Sequence, residues 1–388
     1  MNIVICAGVL DKISGYNLAT RRLGAEFRKR GHRVLILCHQ PPVDISPDAN
    51  PEDFIVCSAK VILRRAPLFR ILDRFRPDVV FTHNVALSDL MGFRYARKRG
   101  IPVFSMFHTR YSHYVSFAIP WKPLRFSIFG RVFERWVAGR LKKSTTVFAP
   151  TEDMKAYLEN LGLTRVEVAG GGVDRTLIGP GEERKPESDS GRVRLLFVGQ
   201  IRAMKNQIYL LEMSRFLPGN YRLDLVGGKC WDRGYYRKFL KAFRSGRYPN
   251  VEWHGELEPR ETARFFRTAR VFVNASLLEA QGLAQIEALA SGLPTVRLHG
   301  ARTSGVTVDL ETAIHLDEKA SPRKFAEAVV RLVEDDRLCE DIRRRALAEG
   351  GRYSWKTTAE RILACFAAVV KPAEGILSTH RRLPRCER

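Results

Sequence analysis

The chain has 388 residues, 45% of them hydrophobic and 28% charged, and this length predicts two domains that each bury their own core. Its longest apolar runs are too short and too interrupted to cross a bilayer, which argues against a membrane-spanning protein, and we expect no signal peptide. The formal net charge of +23 indicates an anionic partner: nucleic acid, an acidic membrane face or a phosphorylated substrate.

The cysteines are scattered along the chain, and no two of them form a C-x-x-C pair. There are seven: Cys6, Cys38, Cys57, Cys230, Cys339, Cys365 and Cys386. An odd number without such pairs argues against a zinc site and indicates a reducing compartment. We therefore expect a cytoplasmic protein.

A parallel βαβ unit is predicted at the start of the chain. Residues 2–7 form an apolar strand, residues 18–30 form a helix in which apolar side chains stand among basic ones, and residues 34–38 form a second strand. A loop with Ser14 and Gly15 lies between the first strand and the helix. This order is typical of a doubly wound fold.

The same alternation continues through both halves of the chain. The first half predicts strands at residues 78–81, 102–107, 145–149 and 167–169, and helices at 87–99 and at 153–161, the latter capped by Thr151. Residues 176–191 are polar and rich in Pro, Gly and Glu, which is typical of a linker. The second half predicts strands at residues 193–199, 221–226, 251–254, 271–273 and 294–298, with helical segments between them. The fold class is therefore α/β, with two doubly wound domains facing a cleft.

Residues 271–296 predict a strand, a glycine-containing loop, a helix, a Gly-Pro stop and another strand. Glu279 lies in the loop and Glu287 on the helix. Gly282 lets the backbone approach a ligand where the chain turns into the helix, and the helix N-terminus suits a phosphate. A loop carboxylate can accept hydrogen bonds from sugar hydroxyls, and one a turn or two into the helix can reach a ribose diol.

This segment resembles the E-x7-E region of retaining GT-B glycosyltransferases of family 4. The positions that match the family pattern are Ser276, Glu279, Gly282, Glu287, Ala288, Ala290, Gly292 and Pro294. The chain departs from the pattern at Gln281, where an aromatic residue is usual, and this predicts a more polar wall beside the donor sugar. The alternative, an ordinary amphipathic helix with surface acids, is disfavoured because both carboxylates stand inside a long match.

The resemblance implies a GT-B fold of two Rossmann-like domains, with a last helix that crosses back to the first. We expect an acceptor-side domain at residues 1–175, a linker at 176–192, a nucleotide-sugar-binding domain at 193–352, the crossover helix at 353–370 and a basic tail at 371–388. The family usually has two glycines in its first loop, whereas this chain has only Gly15 there.

The segment F-V-G-Q-I-R-A-M-K-N resembles a second family motif. The resemblance implies that Gly199 turns the chain and that Arg202 and Lys205 place cations in the cleft. Two such cations stabilise the negative charge that grows on a departing diphosphate, so no divalent metal or other cofactor is expected. The expected donor-binding residues are Gly15, Gly199, Arg202, Lys205, Glu279, Gly282, Leu283 and Glu287.

His108 follows a predicted strand, where doubly wound folds place ligands. The sequence F-H-T-R-Y-S-H-Y around it resembles the H-T-x-x-x-x-Y motif of family members that glycosylate lipids. His108 is therefore a candidate catalytic residue together with Arg202, Lys205 and Glu279, although a purely structural histidine remains an alternative. His113 is a weaker candidate.

One helical stripe before residue 144 combines apolar and basic side chains. It contains Phe129, Val132, Phe133, Trp136 and Val137, beside Arg131, Arg135, Arg140, Lys142 and Lys143, and Trp121 and Phe126 precede it. Such a stripe suits an anionic membrane surface. The alternative, which we favour slightly, is the core face of a helix in the first domain.

The resemblance implies a retaining hexosyltransferase that uses a UDP- or GDP-sugar, without a metal and by front-face attack. The acceptor is expected to be a glycolipid or a lipid-linked glycan at the inner face of the plasma membrane, and a soluble acceptor remains an alternative. The net charge leaves a nucleic-acid-binding protein as a second alternative, although no recognition motif supports it. A GT-B scaffold without turnover is disfavoured because Arg202, Lys205, Glu279 and Glu287 are all present.

Overall fold

A computed structural model of the protein describes residues 1–8, 15–38, 54–56, 65–83, 87–108, 110, 123–179, 191–230, 232–300, 303, 306–307 and 309–370. These residues form two parallel sheets with helices around them, and each sheet has the strand order of a doubly wound fold. The predicted fold class is therefore confirmed.

The first sheet has seven strands in the order β3-β2-β1-β4-β5-β6-β7. Their bounds are β1 Asn2–Cys6, β2 Arg33–Cys38, β3 Phe54–Val56, β4 Val79–Thr82, β5 Val103–Met106, β6 Thr146–Ala149 and β7 Val166–Val168. The interior strand β1 reads N-I-V-I-C, and its last four side chains are completely buried. Such a continuous apolar run is what a parallel strand with both faces covered requires.

The second sheet has six strands in the order β10-β9-β8-β11-β12-β13. Their bounds are β8 Val193–Val198, β9 Tyr221–Val226, β10 Val251–Trp253, β11 Val271–Asn274, β12 Thr295–His299 and β13 Ala313–Asp317. Strand β8 pairs with β9 on one side and with β11 on the other. The chain therefore reverses its winding direction between β8 and β11, and ligands bind at the carboxyl ends of strands at such a point.

Helices cover the two sheets. Their bounds are α1 Gly15–Lys29, α2 Arg65–Phe75, α3 Leu87–Arg99, α4 Pro123–Leu141, α5 Glu152–Asn160, α6 Gln207–Ser214, α7 Arg233–Phe243, α8 Pro259–Thr268, α9 Leu283–Ala290, α10 Pro322–Glu334, α11 Asp336–Gly350 and α12 Trp355–Val369. Helix α5 begins where Thr151 predicts, and the Thr151 side chain accepts a hydrogen bond from the Met154 backbone N–H. Within the described residues, no helix has the length and apolar character needed to cross a bilayer.

Helix α12 returns to the first sheet after the second sheet is complete, as the family resemblance implies. Its Phe366 is fully buried, and its ring centroid lies 4.5 Å from that of Phe104, 5.5 Å from Phe81 and 5.9 Å from Phe27. Aromatic contacts at these distances stabilise a core beyond simple area burial. The predicted linker lies largely outside the described residues, which omit 180–190, and the predicted basic tail lies wholly outside them.

Helix α4 shows that the favoured core-face interpretation of the apolar stripe is mostly wrong. Val137 is buried, but Val132 is 57% exposed, Trp136 47% and Phe133 36%. The core face of α4 instead runs through Val137, Ala138 and Leu141. The predicted stripe also follows the 3.6-residue period, but its arc is rotated away from the buried face and overlaps it only at Val137. Trp121 and the side chains of Phe126 and Phe129 lie outside the described residues.

Candidate active site

The loop that joins β11 to α9, residues 275–282, has the conformation that its glycine predicts. Gly282 has a φ of 81°, in the left-handed region, and immediately precedes α9. A Cβ atom at this position would lie 3.1 Å from Cδ of Gln285 and 3.2 Å from Cγ of Glu279. Both the backbone angle and the space therefore require glycine here.

Lys205 and Glu279 meet where the β8 and β11 loops come together. Lys205 lies on a short 3₁₀ turn after β8, and its Nζ lies 2.5 Å from Oε2 of Glu279. The side chains are only 21% and 11% exposed, so each charge compensates the desolvation of the other. The Leu277 N–H also donates to the Met204 carbonyl at 2.8 Å, which fixes the two loops together. The expected cation is present, but a carboxylate already pairs with it.

Gly199 and Arg202 lie in the loop that follows β8, at one edge of this site. A Cβ atom at Gly199 would lie 3.2 Å from the Phe197 ring, and the Gly199 carbonyl packs closely against Gly227 of the next loop. The Arg202 backbone N–H faces Oε1 of Gln207 at 3.4 Å, and the residue is partly exposed. The turn therefore fixes the backbone from which both basic side chains extend.

Glu287 lies on α9, one helix turn beyond the N-terminus, in a poorly solvated position. Burial raises the pKa of its carboxyl to about 7, and the nearby charge of Arg22 opposes that shift only in part. Arg22 comes from α1 of the first domain and pairs with Asp174 at 2.8 Å. No sequence pattern identifies Arg22, because its approach to Glu287 depends on how α1 packs.

His108 lies beside a second histidine at the carboxyl ends of the first sheet. Its Nε2 lies 3.2 Å from Nδ1 of His83, which in turn lies 3.2 Å from the Thr20 hydroxyl. Burial lowers the pKa of His108 to about 4 and that of His83 well below its ordinary value. Both imidazoles are therefore neutral near pH 7, so His108 can form hydrogen bonds but carries no positive charge. His83 immediately follows strand β4, a position that could have identified it as readily as His108.

Leu283 and Gly15 connect the two halves of the site. A Cβ atom at Gly15 would lie 3.2 Å from Cδ1 of Leu283, so the start of α1 packs directly against the start of α9. Gly15 belongs to the helix itself, which begins three residues before the predicted bound. His113 and Ser14 lie outside the described residues.

Gln281 does not form the polar sugar-facing wall that the sequence predicts. It is 8% exposed, and its amide bonds the first domain: Oε1 accepts from the Gly171 N–H at 2.8 Å, and Nε2 donates to the Pro150 carbonyl at 3.1 Å. The prediction is wrong because a side chain in a loop can point to either side of it, and sequence alone does not say which.

Among the described residues, one cluster has metal-ligand geometry: Asp224, Glu252 and His254. Two arginines occupy its carboxylates, since Arg194 lies 3.0 Å from Asp224 and Arg222 pairs with Glu252. His254 also contacts Asp224 at 2.8 Å. This arrangement is an ion-pair network on β8–β10, and its basic partners disfavour a bound cation.

Two protein-family models match consecutive parts of the chain. The model described as Glycosyltransferase Family 4 matches residues 13–177, and the model described as Glycosyl transferases group 1 matches residues 181–349. Together they cover every strand except β1, and every predicted site residue.

Curated relatives of the chain include two bacterial enzymes. The alpha-monoglucosyldiacylglycerol synthase of Streptococcus pneumoniae is 27% identical over 317 residues, which cover 74% of this chain and 68% of the relative. The GDP-mannose-dependent alpha-mannosyltransferase of Mycolicibacterium smegmatis is 23% identical over 384 residues, covering 95% and 97%.

Solved structures share the fold at lower identity. Anabaena HepE in complex with UDP-glucose superposes with a TM-score of 0.74 at 15% identity, covering 95% of this chain and 100% of that one. WaaG, a glycosyltransferase involved in lipopolysaccharide biosynthesis, superposes with a TM-score of 0.71 at 17% identity, covering 94% and 99%.

Proposed function

The chain belongs to the group 1, family 4 type of GT-B glycosyltransferases, and from this premise we propose that it transfers a hexose, with retention of configuration, from a UDP- or GDP-sugar to a membrane-associated hydroxyl acceptor. The acceptor is a glycolipid or a lipid-linked glycan, and the enzyme works at the cytoplasmic face of the plasma membrane. The names of the relatives support this class, since one makes a glucosyl diacylglycerol and another uses GDP-mannose.

The observation that carries the proposal is the pairing of Lys205 with Glu279 beside the N-terminus of α9. A nucleotide diphosphate at this helix end would meet unpaired backbone N–H groups and a positive dipole. Its phosphate oxygens would compete with Glu279 for Lys205. Once released from that pair, the Glu279 carboxylate could accept hydrogen bonds from the donor sugar.

The reaction that we propose proceeds on one face of the sugar. The acceptor oxygen forms a bond to the anomeric carbon while the bond from that carbon to the diphosphate breaks, and the acceptor proton passes to the departing phosphate oxygen. Arg202 and Lys205 stabilise the charge that develops on the diphosphate, where a divalent metal would otherwise do so. Catalysis then rests on charge stabilisation and positioning, not on a nucleophilic carboxylate.

Glu287 and His108 would bind substrates in this scheme. Glu287 accepts hydrogen bonds from the ribose diol, for which its carboxyl must be ionised. His108, held by His83, is neutral at pH 7 and positions the acceptor hydroxyl or a hydroxyl of the donor sugar through a hydrogen bond. Neither residue needs to exchange a proton with the substrate.

A thermal-shift panel of nucleotides and nucleotide sugars tests the donor site, because a ligand that binds only the folded state raises the unfolding midpoint. We expect one diphosphate nucleotide to raise it selectively and the Lys205→Ala variant to lose that shift. DNA at the same concentration of negative charge as the nucleotide serves as the control for nonspecific attraction to this basic protein. A wild-type protein that responds to DNA but to no nucleotide would contradict the proposal and favour nucleic-acid binding.

The exposed face of α4 supports a membrane-associated acceptor. Phe133 and Trp136 stack at 5.5 Å on that face, and Val132 lies beside them. Arg131 and Arg135 are exposed on the same helix. Exposed aromatic side chains with flanking arginines suit the interface of an anionic bilayer, where the rings enter the headgroup region and the cations meet lipid phosphates.

Replacing both Phe133 and Trp136 by Ser is expected to lower binding to anionic phospholipid vesicles at least tenfold, because each aromatic ring contributes about 1.5–3 kcal/mol when it leaves water. Co-sedimentation with phosphatidylglycerol vesicles measures this. Phe216→Ser is the matched control, since Phe216 is 40% exposed and also has an arginine, Arg323, against its ring. Equal binding by the double variant and the wild type would remove α4 as the membrane contact.

A further inference from the structure

In the β11–α9 loop, the side-chain amide of Gln281 forms hydrogen bonds to the first domain. Gln281 uses both polar atoms of its amide, accepting from the Gly171 N–H at 2.8 Å and donating to the Pro150 carbonyl at 3.1 Å. The amide orientation follows from these partners, because a backbone N–H can only donate and a carbonyl can only accept. One side chain of the second domain therefore satisfies two backbone groups of the first.

The two glycines beside this amide, Gly170 and Gly171, leave no room for a side chain at either position. A Cβ atom at Gly170 would lie 2.5 Å from Nε2 of Gln281 and 2.8 Å from the Pro150 carbonyl oxygen, and one at Gly171 would lie 2.8 Å from Oε1 of Gln281. Contacts this short would displace the amide. Close packing against Gln281 and Pro150 thus explains Gly170, whereas Gly171 is also required by Leu283, whose Cδ2 would lie 2.4 Å from a Cβ atom there.

The neighbours of Gln281 in the loop pack against the same domain. Ala280 packs against the first-domain cluster that contains Phe107, and Leu283 against the cluster that contains Phe366. Glu279, which pairs with Lys205, immediately precedes these residues. The position of the Glu279 backbone therefore depends on how the loop sits on the first domain.

We propose that Gln281 is a positioning residue that fixes the β11–α9 loop to the first domain and so couples the approach of the two domains to the placement of Glu279. This inference rests on the proposed function, since it assigns Gln281 a role in the turnover of a donor sugar. When the domains are apart, water can solvate the amide and its two partners. When they are together, Gln281 satisfies the partly buried Gly171 N–H and the buried Pro150 carbonyl, so its loss disfavours the joined arrangement.

The first test is Gln281→Leu, which keeps the side-chain volume and removes both hydrogen bonds. We expect kcat to fall about 10- to 100-fold, because less of the enzyme has the loop in place. Binding of the nucleotide diphosphate should change less than threefold, because Lys205 and Glu287 belong to the second domain. A fall in nucleotide affinity as large as the fall in kcat would overturn the inference, since it would mean that the binding site itself had been damaged.

Thr358→Val is the matched control. Thr358 is 6% exposed, and its hydroxyl donates to the Gly170 carbonyl at 2.7 Å, so this variant also removes a partly buried hydrogen bond at the glycine segment. It leaves the β11–α9 loop unchanged, and we expect normal kcat with a lowered unfolding midpoint. If both variants lower the midpoint and both leave kcat intact, Gln281 has only a structural role.

Gln281→Glu supplies a readout that depends on pH. An ionised Glu can accept from Gly171 but repels the Pro150 carbonyl, whereas a protonated Glu has the same donor and acceptor as Gln. The ratio of variant kcat to wild-type kcat should therefore rise as the pH falls toward the pKa of the new carboxyl. Dividing by the wild-type value at each pH removes the titration of other groups, and a flat ratio would contradict the proposal.

Small-angle X-ray scattering separates this inference from the proposed function, because it needs no substrate. We expect Gln281→Leu, but not Thr358→Val, to have a larger radius of gyration than the wild type. Such an increase would support the interdomain role even if no nucleotide sugar were found to react. The same radius in all three proteins would contradict it even if the wild type proved to be an active glycosyltransferase.

Discussion

Lys205→Ala is expected to lower kcat about 100- to 1000-fold, the size of effect seen when a fixed group that stabilises developing charge is removed from an active site. The diphosphate gains negative charge as the sugar departs, and the Lys205 ammonium lies at the loop junction where that charge would form. The loss should appear mainly in kcat, because the interaction strengthens in the transition state. Steady-state kinetics with the nucleotide sugar found in the thermal-shift panel measures it.

Because Lys205 forms an ion pair with Glu279, this experiment needs controls for stability and for charge. Lys205→Ala also leaves a poorly exposed carboxylate without its partner, so the unfolding midpoint must be measured beside the rate. Lys205→Arg keeps the charge and should recover part of kcat. Lys241→Ala removes an exposed charge from α7 and should change nothing. Near-normal turnover by Lys205→Ala would remove Lys205 from the active site.

Glu287→Gln is expected to change binding and stability in opposite directions. Loss of a charged acceptor for the ribose diol should weaken nucleotide binding about tenfold or more, since hydrogen bonds to charged groups contribute about 1.5–3 kcal/mol. Without ligand, however, the variant should be more stable than the wild type at pH 8. The reason is that burial makes the ionised form of Glu287 costly, whereas Gln is neutral at every pH.

The pH dependence of that stability follows from the raised pKa. The Glu287 carboxyl has a pKa of about 7 in the folded protein and an ordinary value of 4.5. As the pH rises from 4.5 to 7, the unfolded chain ionises first, so the folded state loses stability on the order of 1–3 kcal/mol. The advantage of Glu287→Gln should therefore be absent at pH 4.5 and complete above pH 7.

Chemical denaturation at both pH values measures this difference. Glu159→Gln, an exposed change on α5, controls for the loss of one negative charge from a basic protein. Equal stability of Glu287→Gln and the wild type at pH 8 would show that the Glu287 carboxyl is well solvated. Unchanged nucleotide affinity would show instead that the ribose lies elsewhere.

Much of the fold could be predicted because parallel sheets impose long apolar runs on their strands. Helix α3 has the predicted bounds, and the predicted strands of the first sheet agree with the structure to within one or two residues. Strands β3 and β13, which lie at the outer edges of their sheets, were not predicted. Strand β3 has only three residues, too few for a period to show.

The site residues could be predicted only where a local sequence pattern identifies them. Glu279, Gly282 and Glu287 follow from one short segment, and Gly282 has the left-handed backbone that its place before a helix suggests. The direction of Gln281 and the approach of Arg22 to Glu287 depend on packing between segments more than one hundred residues apart. Sequence periodicity does not predict contacts between such distant segments.

The return of α12 to the first sheet has a consequence for how the chain folds during synthesis. Phe366 completes an aromatic core whose other rings, including Phe27, Phe81 and Phe104, are translated hundreds of residues earlier. The first domain therefore leaves the ribosome with that core incomplete. The core can close only after the second domain and α12 have been synthesised. Chain order and folding order are reversed here: the domain that is synthesised first is the last to be finished, and its unfilled core is the surface that chaperones would meet.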